Sequence, residues 1–205
     1  MSPANESLRE RRRRETRMEI HTAALRLVRE HGFDEVAVET IAAEVGISRR
    51  TFFNYFPSKE AAVLPMPSEL PADVVAEFVA RGPAGRRELL TEITALLVAD
   101  VAANRPDRTS MHTTFELTRS HPTVLAAMLA QFDTFQRSVA EAVAKRLEVP
   151  ADDEVPTMIA ALALAAVRTG LERRSTVPPE DAADDDSPVP FLERAVAVLH
   201  TLFQP

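Results

Sequence analysis

Cysteine and tryptophan are both absent from the 205 residues. Without a thiol the chain forms no disulfide, carries no thiolate nucleophile and builds no zinc or iron–sulfur site that needs sulfur ligands. That lack suits a reducing compartment without proving one. Glycine is scarce, at Gly32, Gly46, Gly82, Gly85 and Gly170 only. These positions form neither a dinucleotide fingerprint nor a phosphate-cradling loop. A single tyrosine, few glycines and abundant alanine argue against a large sheet. Long apolar runs are also missing. The longest, Met158 to Val167, is about half of the ~20 residues a bilayer-spanning helix needs. The N-terminal charged run has no apolar stretch behind it, so it does not read as a secretory signal. No nucleophile–base pair and no metal-ligand cluster can be picked out, and His21, His31 and His200 have no neighbours that suggest chemistry. The expectation is a cytoplasmic protein that is not an enzyme and takes no cofactor and no metal.

What remains is an ordinary globular composition, 45% hydrophobic and 27% charged. The net charge of −7 argues at first against nucleic acid, but its distribution does not. Residues 1–64 carry 11 Lys/Arg against 10 Asp/Glu, whereas residues 65–205 carry 13 against 21. Five of the early positives fall in Arg9-Glu10-Arg11-Arg12-Arg13-Arg14. A basic segment ahead of an acidic body is a hint of nucleic-acid contact.

Hydrophobic periodicity predicts helices throughout. Residues 1–12 lack it and read as a flexible basic arm. From Arg13 to His31, Ile20, Ala23, Ala24, Leu27 and Val28 make one apolar stripe, and Gly32 follows as a helix stop. Val38, Ile41, Ala42 and Val45 repeat the spacing up to Gly46. Ser48 suits the N-cap of a helix over 49–56, and Ser58 that of the next, beginning at Lys59. Pro65, Pro67 and Pro71 interrupt any helix, which places a domain boundary at 64/65. Beyond it, helices are predicted over 72–81, 84–104, 107–119, 122–148, 152–175 and 189–203, with an acidic, Pro-rich loop over 176–190. The fold class is all-α, with a three-helix module over 13–64 and a helical bundle over 65–205.

The informative segment is 37–56, AVETIAAEVGISRRTFFNYF. Two short helices joined by a tight Gly-containing turn make a helix–turn–helix. On its second helix Phe52, Phe53 and Phe56 read as inward, and Arg50, Thr51, Asn54 and Tyr55 as outward. The outward set hydrogen-bonds and contains no acid, which suits a groove of phosphates and base edges. Periodicity alone fits a solvated face equally well. The Arg run, Arg49-Arg50 and Lys59 favour DNA.

Residues 14–63 resemble the DNA-binding domain of the TetR family of bacterial transcriptional regulators. The resemblance rests on Ile20, Ala23-Ala24, Leu27, Gly32-Phe33, Val38, Ile41-Ala42, Val45-Gly46-Ile47-Ser48, Thr51-Phe52-Phe53, Tyr55-Phe56 and Ser58-Lys59-Glu60. It implies that Arg49 and Arg50 read bases, that Thr51, Asn54 and Tyr55 touch phosphates or base edges, and that Lys59 and Thr40 contact phosphates. Two departures stand out. Val36-Ala37 replaces the usual Ser or Thr cap of the motif's first helix, and Phe53 stands where the family commonly has Tyr. The Arg run, including Arg12, Arg13 and Arg14, has two readings: a minor-groove contact or mere solubility.

The resemblance also assigns the body to dimerisation and effector binding. Ile159, Leu162, Ala163 and Ala166 make one stripe, and Leu192, Ala195, Val196, Leu199, Leu202 and Phe203 another. Both fit an interface between copies and both fit a monomer core. Candidate effector-pocket residues are Phe78, Met111, Phe115, Met128, Phe132 and Phe135, though apolar residues at helical spacing also simply fill cores. His112, Glu116 and Arg119 share a face, either to orient a polar ligand or as a surface ion pair. The expected protein is a sequence-specific DNA-binding regulator, a homodimeric repressor released from a palindromic operator by a small-molecule effector and located at the bacterial nucleoid. An activator and a small-molecule carrier are the alternatives.

Overall fold

The computed structural model describes residues 8–64, 67, 69–104, 108–176 and 187–202, and every regular element among them is an α-helix. In chain order these are α1 (Leu8–His31), α2 (Val38–Val45), α3 (Arg49–Phe53), α4 (Lys59–Ala62), α5 (Ala72–Ala80), α6 (Arg86–Asn104), α7 (Arg108–Ser120), α8 (Pro122–Leu147), α9 (Glu154–Thr176) and α10 (Val189–Thr201). Residues 1–7, the core of the acidic loop at 177–186, part of the proline-rich break and Phe203 lie outside the described residues.

Two boundaries differ from the sequence reading for physical reasons. The helix predicted from Arg13 starts at Leu8, so residues 8–12 are not an irregular arm. Leucine, arginine and glutamate are strong helix formers, and Arg11 and Glu15 pair one turn apart at 3.2 Å. Conversely α3 ends at Phe53 and not Phe56. Pro57 disfavours helical backbone at the residue before it, and Asn54 and Tyr55 turn the chain instead. The remaining ends agree within two residues.

The chain divides into two compact units. The first comprises 1–66 together with 109–132, and the second 67–108 together with 133–205. A break beside the proline-rich segment was expected, but the recruitment of 109–132 to the first unit was not. Packing explains it. Leu117 of α7 and Val124 of α8 complete a core otherwise made by Ile20, Leu25, Ile41, Phe52, Phe56 and Val63. The Thr114 hydroxyl donates to the Val63 carbonyl at 3.0 Å. The His121 ring packs 4.7 Å from that of Phe33.

In the second unit α9 packs against α6 and α10. By length and composition α9 is apolar enough to cross a bilayer, with a mean hydropathy of 1.3. Its apolarity has a use inside the unit, where Ile159, Ala160, Ala163, Leu164, Ala166 and Val167 are buried. A polar clasp joins three further segments. Arg146, only 3% exposed, donates through Nε to the Gly82 carbonyl at 2.8 Å and pairs with Glu92. Its guanidinium lies 4.7 Å from the Phe78 ring, and Arg81 reaches Glu92 at 3.2 Å. These contacts hold the Glu92 carboxyl below its usual range, the Arg146 hydrogen bond contributing most.

Candidate nucleic-acid interface

The α2–turn–α3 unit is set by local rules. Ile41 and Ala42 are buried on one side of α2. Gly46 then takes a left-handed backbone with φ 75°, where a β-carbon costs ~1–2 kcal/mol, and its N–H caps the helix on Ala42 and Ala43 carbonyls. The Ile47 N–H also closes onto the Ala42 carbonyl at 2.9 Å. Ser48 caps α3, its hydroxyl accepting from the Thr51 N–H at 3.0 Å. Ala37, by contrast, starts α2 with no side-chain cap. Phe52 and Phe56 anchor the unit in the core.

On this frame the candidate residues separate. Thr40, Arg49, Arg50 and Asn54 are exposed. Arg49 forms an ion pair with Glu39, its Nε 3.1 Å from Oε1, and its guanidinium lies 5.5 Å from the Phe53 ring. Phe53, read as inward, is 44% exposed on the same side as Arg49. Its β-carbon lies one position past Phe52, and α3 is too short for both rings to enter the core.

Three residues read as outward contacts are engaged elsewhere. Thr51 is half-buried, its hydroxyl 2.8 Å from that of Ser48. Tyr55 is half-buried against the core because the chain turns after Phe53. Lys59 donates to the Phe33 and Val36 carbonyls at 2.9 and 3.1 Å and lies 4.5 Å from the Phe33 ring. It therefore clamps the α1–α2 loop, which leaves at most one of its three N–H groups for a phosphate.

Arg12, Arg13 and Arg14 are exposed on the first turns of α1. One turn on, Arg17 turns inward, a role that sequence reasoning missed. Its Nη1 donates to the Tyr55 carbonyl at 2.8 Å, and its guanidinium lies 4.2 Å from the Phe56 ring. Burial, and then the nearby Arg13 charge, lower its pKa. His21, also missed, is buried with Nδ1 2.8 Å from the Ala62 carbonyl, to which it donates. Arg17 and His21 lie four apart on α1, and only that spacing hinted at a shared inward face.

The body residues are redistributed. Of the pocket candidates, Met111, His112, Phe115, Arg119, Met128 and Phe132 fall in the first unit, and Phe78 and Phe135 in the second. Met128 packs against the first core, while Phe78 is buried beneath Arg146. His112 and Glu116 form an exposed pair at 3.6 Å. An apolar groove of about 420 Å³ in the second unit is lined by Ala72, Val75, Ala76, Val79 and Lys145, none of them predicted.

Most of the two expected dimer stripes is taken up within the single chain. Ile159, Ala166, Leu192 and Leu199 are buried within the single chain, and Leu162 and Val196 are half-buried. Of the predicted stripes Leu202 stays exposed, at 72%, and beside it Met158 of α9 and Val198 of α10 are exposed at 60% and 55%. A stripe at helical spacing cannot tell which edge faces inward. Here α9 and α10 pack on each other and take the predicted edge.

A buried scaffold presenting a short, capped helix with two exposed N-terminal arginines defines a helix–turn–helix DNA-binding protein. Residues 20–64 match the bacterial regulatory proteins of the tetR family, and residues 87–204 match the MftR C-terminal domain. The chain is 31% identical over 158 residues to the HTH-type transcriptional regulator TcmR of Streptomyces glaucescens, covering 75% of this chain and 70% of that one. Over 51 residues it is 47% identical to MftR of Mycobacterium tuberculosis, described as a regulator of mycofactocin biosynthesis, covering 25% of this chain and 26% of that one. In fold it is similar to Thermus thermophilus FadR, a TetR-family repressor crystallised with lauroyl-CoA, with a TM-score of 0.50, 24% identity and 92% and 95% of the two chains covered. The chain belongs to the TetR family and is a DNA-binding transcriptional regulator.

Proposed function

We propose that the chain acts in the cytoplasm, on nucleoid DNA, as a homodimeric repressor that a small-molecule effector releases from a palindromic operator. The observation that carries this reading is the pair Arg49 and Arg50, exposed at the start of a short helix whose Phe52 is fully buried. Residues at the N-terminal end of a recognition helix reach base edges, and an arginine fork matches guanine O6 and N7. Thr40 and Asn54 lie exposed for phosphate contacts, with Arg12, Arg13 and Arg14 at the start of α1. Met158, Val198 and Leu202 support pairing between copies, because exposed apolar side chains on two neighbouring helices favour burial against a partner. A two-fold dimer sets its reading heads about 34 Å apart and calls for an inverted repeat. An effector releases the operator only through unequal affinity for the two conformations.

Selection from a randomised duplex library tests this directly. The expected product is one inverted repeat, bound by two chains. Enrichment of no sequence, or of half-sites without symmetry, contradicts the reading. Val198→Glu with Leu202→Glu is expected to halve the mass seen by sedimentation and to abolish binding to the full repeat. An unchanged mass removes these residues from the interface.

A further inference from the structure

We infer that Glu39 is a positioning residue that sets Arg49 for base reading and so fixes preference at one operator base pair. The inference rests on the proposed DNA contact of α3. Glu39 is the second residue of α2, and Arg49 is the first of α3. The Gly46 turn brings them together, with Nε of Arg49 3.1 Å from Glu39 Oε1. Both side chains are well exposed, so the pair adds little to stability. An exposed carboxylate on a face turned to phosphates also opposes DNA binding. A group that is nearly neutral for folding and adverse for general affinity calls for another account.

The geometry supplies one. The Glu39 carboxylate stands against the Nε edge of the guanidinium, at the end away from the two Nη groups. Guanine recognition needs two parallel donors, which the Nη groups provide. Phe53 limits the other side, its ring centroid 5.5 Å from Cζ. Arg49 is thus held by a carboxylate and a ring before any DNA arrives, and less side-chain freedom is lost on binding. Arg50, next to it, is exposed and forms no ion pair among the described residues. It is the internal control.

The test measures affinity for the library-selected duplex and for each of its single-base-pair variants, using the wild type, Arg49→Ala, Glu39→Ala and Glu39→Gln. In Glu39→Ala, discrimination is expected to fall about tenfold at the pair that Arg49→Ala also relaxes, and nowhere else. Binding to an unselected duplex should tighten as the negative charge is lost. Glu39→Gln keeps an oxygen of the same reach beside Nε, so it should retain discrimination while still binding the unselected duplex more tightly. Full discrimination at every pair in Glu39→Ala overturns the inference, as does an even loss across all pairs. Absence of sequence-selective binding by the wild type instead overturns the reading of α3 on which the inference stands.

Discussion

Arg17 shows how much one side chain can do without touching DNA. It joins α1 to the turn after the recognition helix through the Tyr55 carbonyl and the Phe56 ring. Arg17→Ala leaves that carbonyl without this donor and is expected to cost about 1–3 kcal/mol, read by urea denaturation. In the sequence Arg17 is one more arginine beside a basic run. Apart from its spacing to His21 nothing local marks it as inward, because its partner is a backbone oxygen 38 residues away. Lys59 likewise binds backbone oxygens 26 and 23 residues away, which its place in the sequence does not announce. The exposure of Arg50 and Asn54 was legible from helical spacing, whereas Arg49 was singled out through the family resemblance. Glu92 carries a separate prediction. Its carboxyl is held below the unfolded value, so its contribution is complete above the unfolded pKa and is lost as pH falls through the folded one. Glu92→Gln should therefore be less stable than the wild type by about 1–3 kcal/mol near neutral pH, and the gap should close under strongly acid conditions. A gap that is independent of pH would exclude the charge as its source.

Among the helices, α9 and α10 approach each other closely at Gly170. A β-carbon there would lie 2.8 Å from Leu192 Cα and 2.9 Å from the Phe191 carbonyl oxygen. Both are backbone atoms, so α10 itself must shift. Gly170→Ala is expected to destabilise by about 1–3 kcal/mol despite the better helix propensity of alanine, with a lower melting temperature as the readout. A glycine inside an apolar helix pattern signals some close approach, but the sequence does not name the neighbour. Existence and type of the helices were readable because their 3.6-residue periodicity is local. The end of α3 was misjudged because the proline effect at Phe56 outweighed the apolar pattern. The stripes of α9 and α10 fitted both an interface and a core, and burial within the chain took Ile159, Ala166, Leu192 and Leu199.

Over the whole molecule, the all-α class and the break near the prolines followed from sequence. The membership of 109–132 in the first unit did not, since Thr114, Leu117 and Val124 find their partners only in three dimensions. Charge also has its meaning at this level. The excess acid lies beyond residue 64, while the first 64 residues are close to neutral and place Arg49 and Arg50 on one exposed helix end. An acidic excess weakens general attraction to DNA, so binding has to come from local groups such as these. Reading by α3 can be measured as the affinity of the Arg49→Ala/Arg50→Ala variant for the selected duplex and for an unselected one, with its helical circular dichroism unchanged. The variant is expected to lose about 30-fold or more on the selected duplex and to bind both duplexes alike. A folded variant that keeps wild-type affinity and selectivity would show that DNA is read elsewhere.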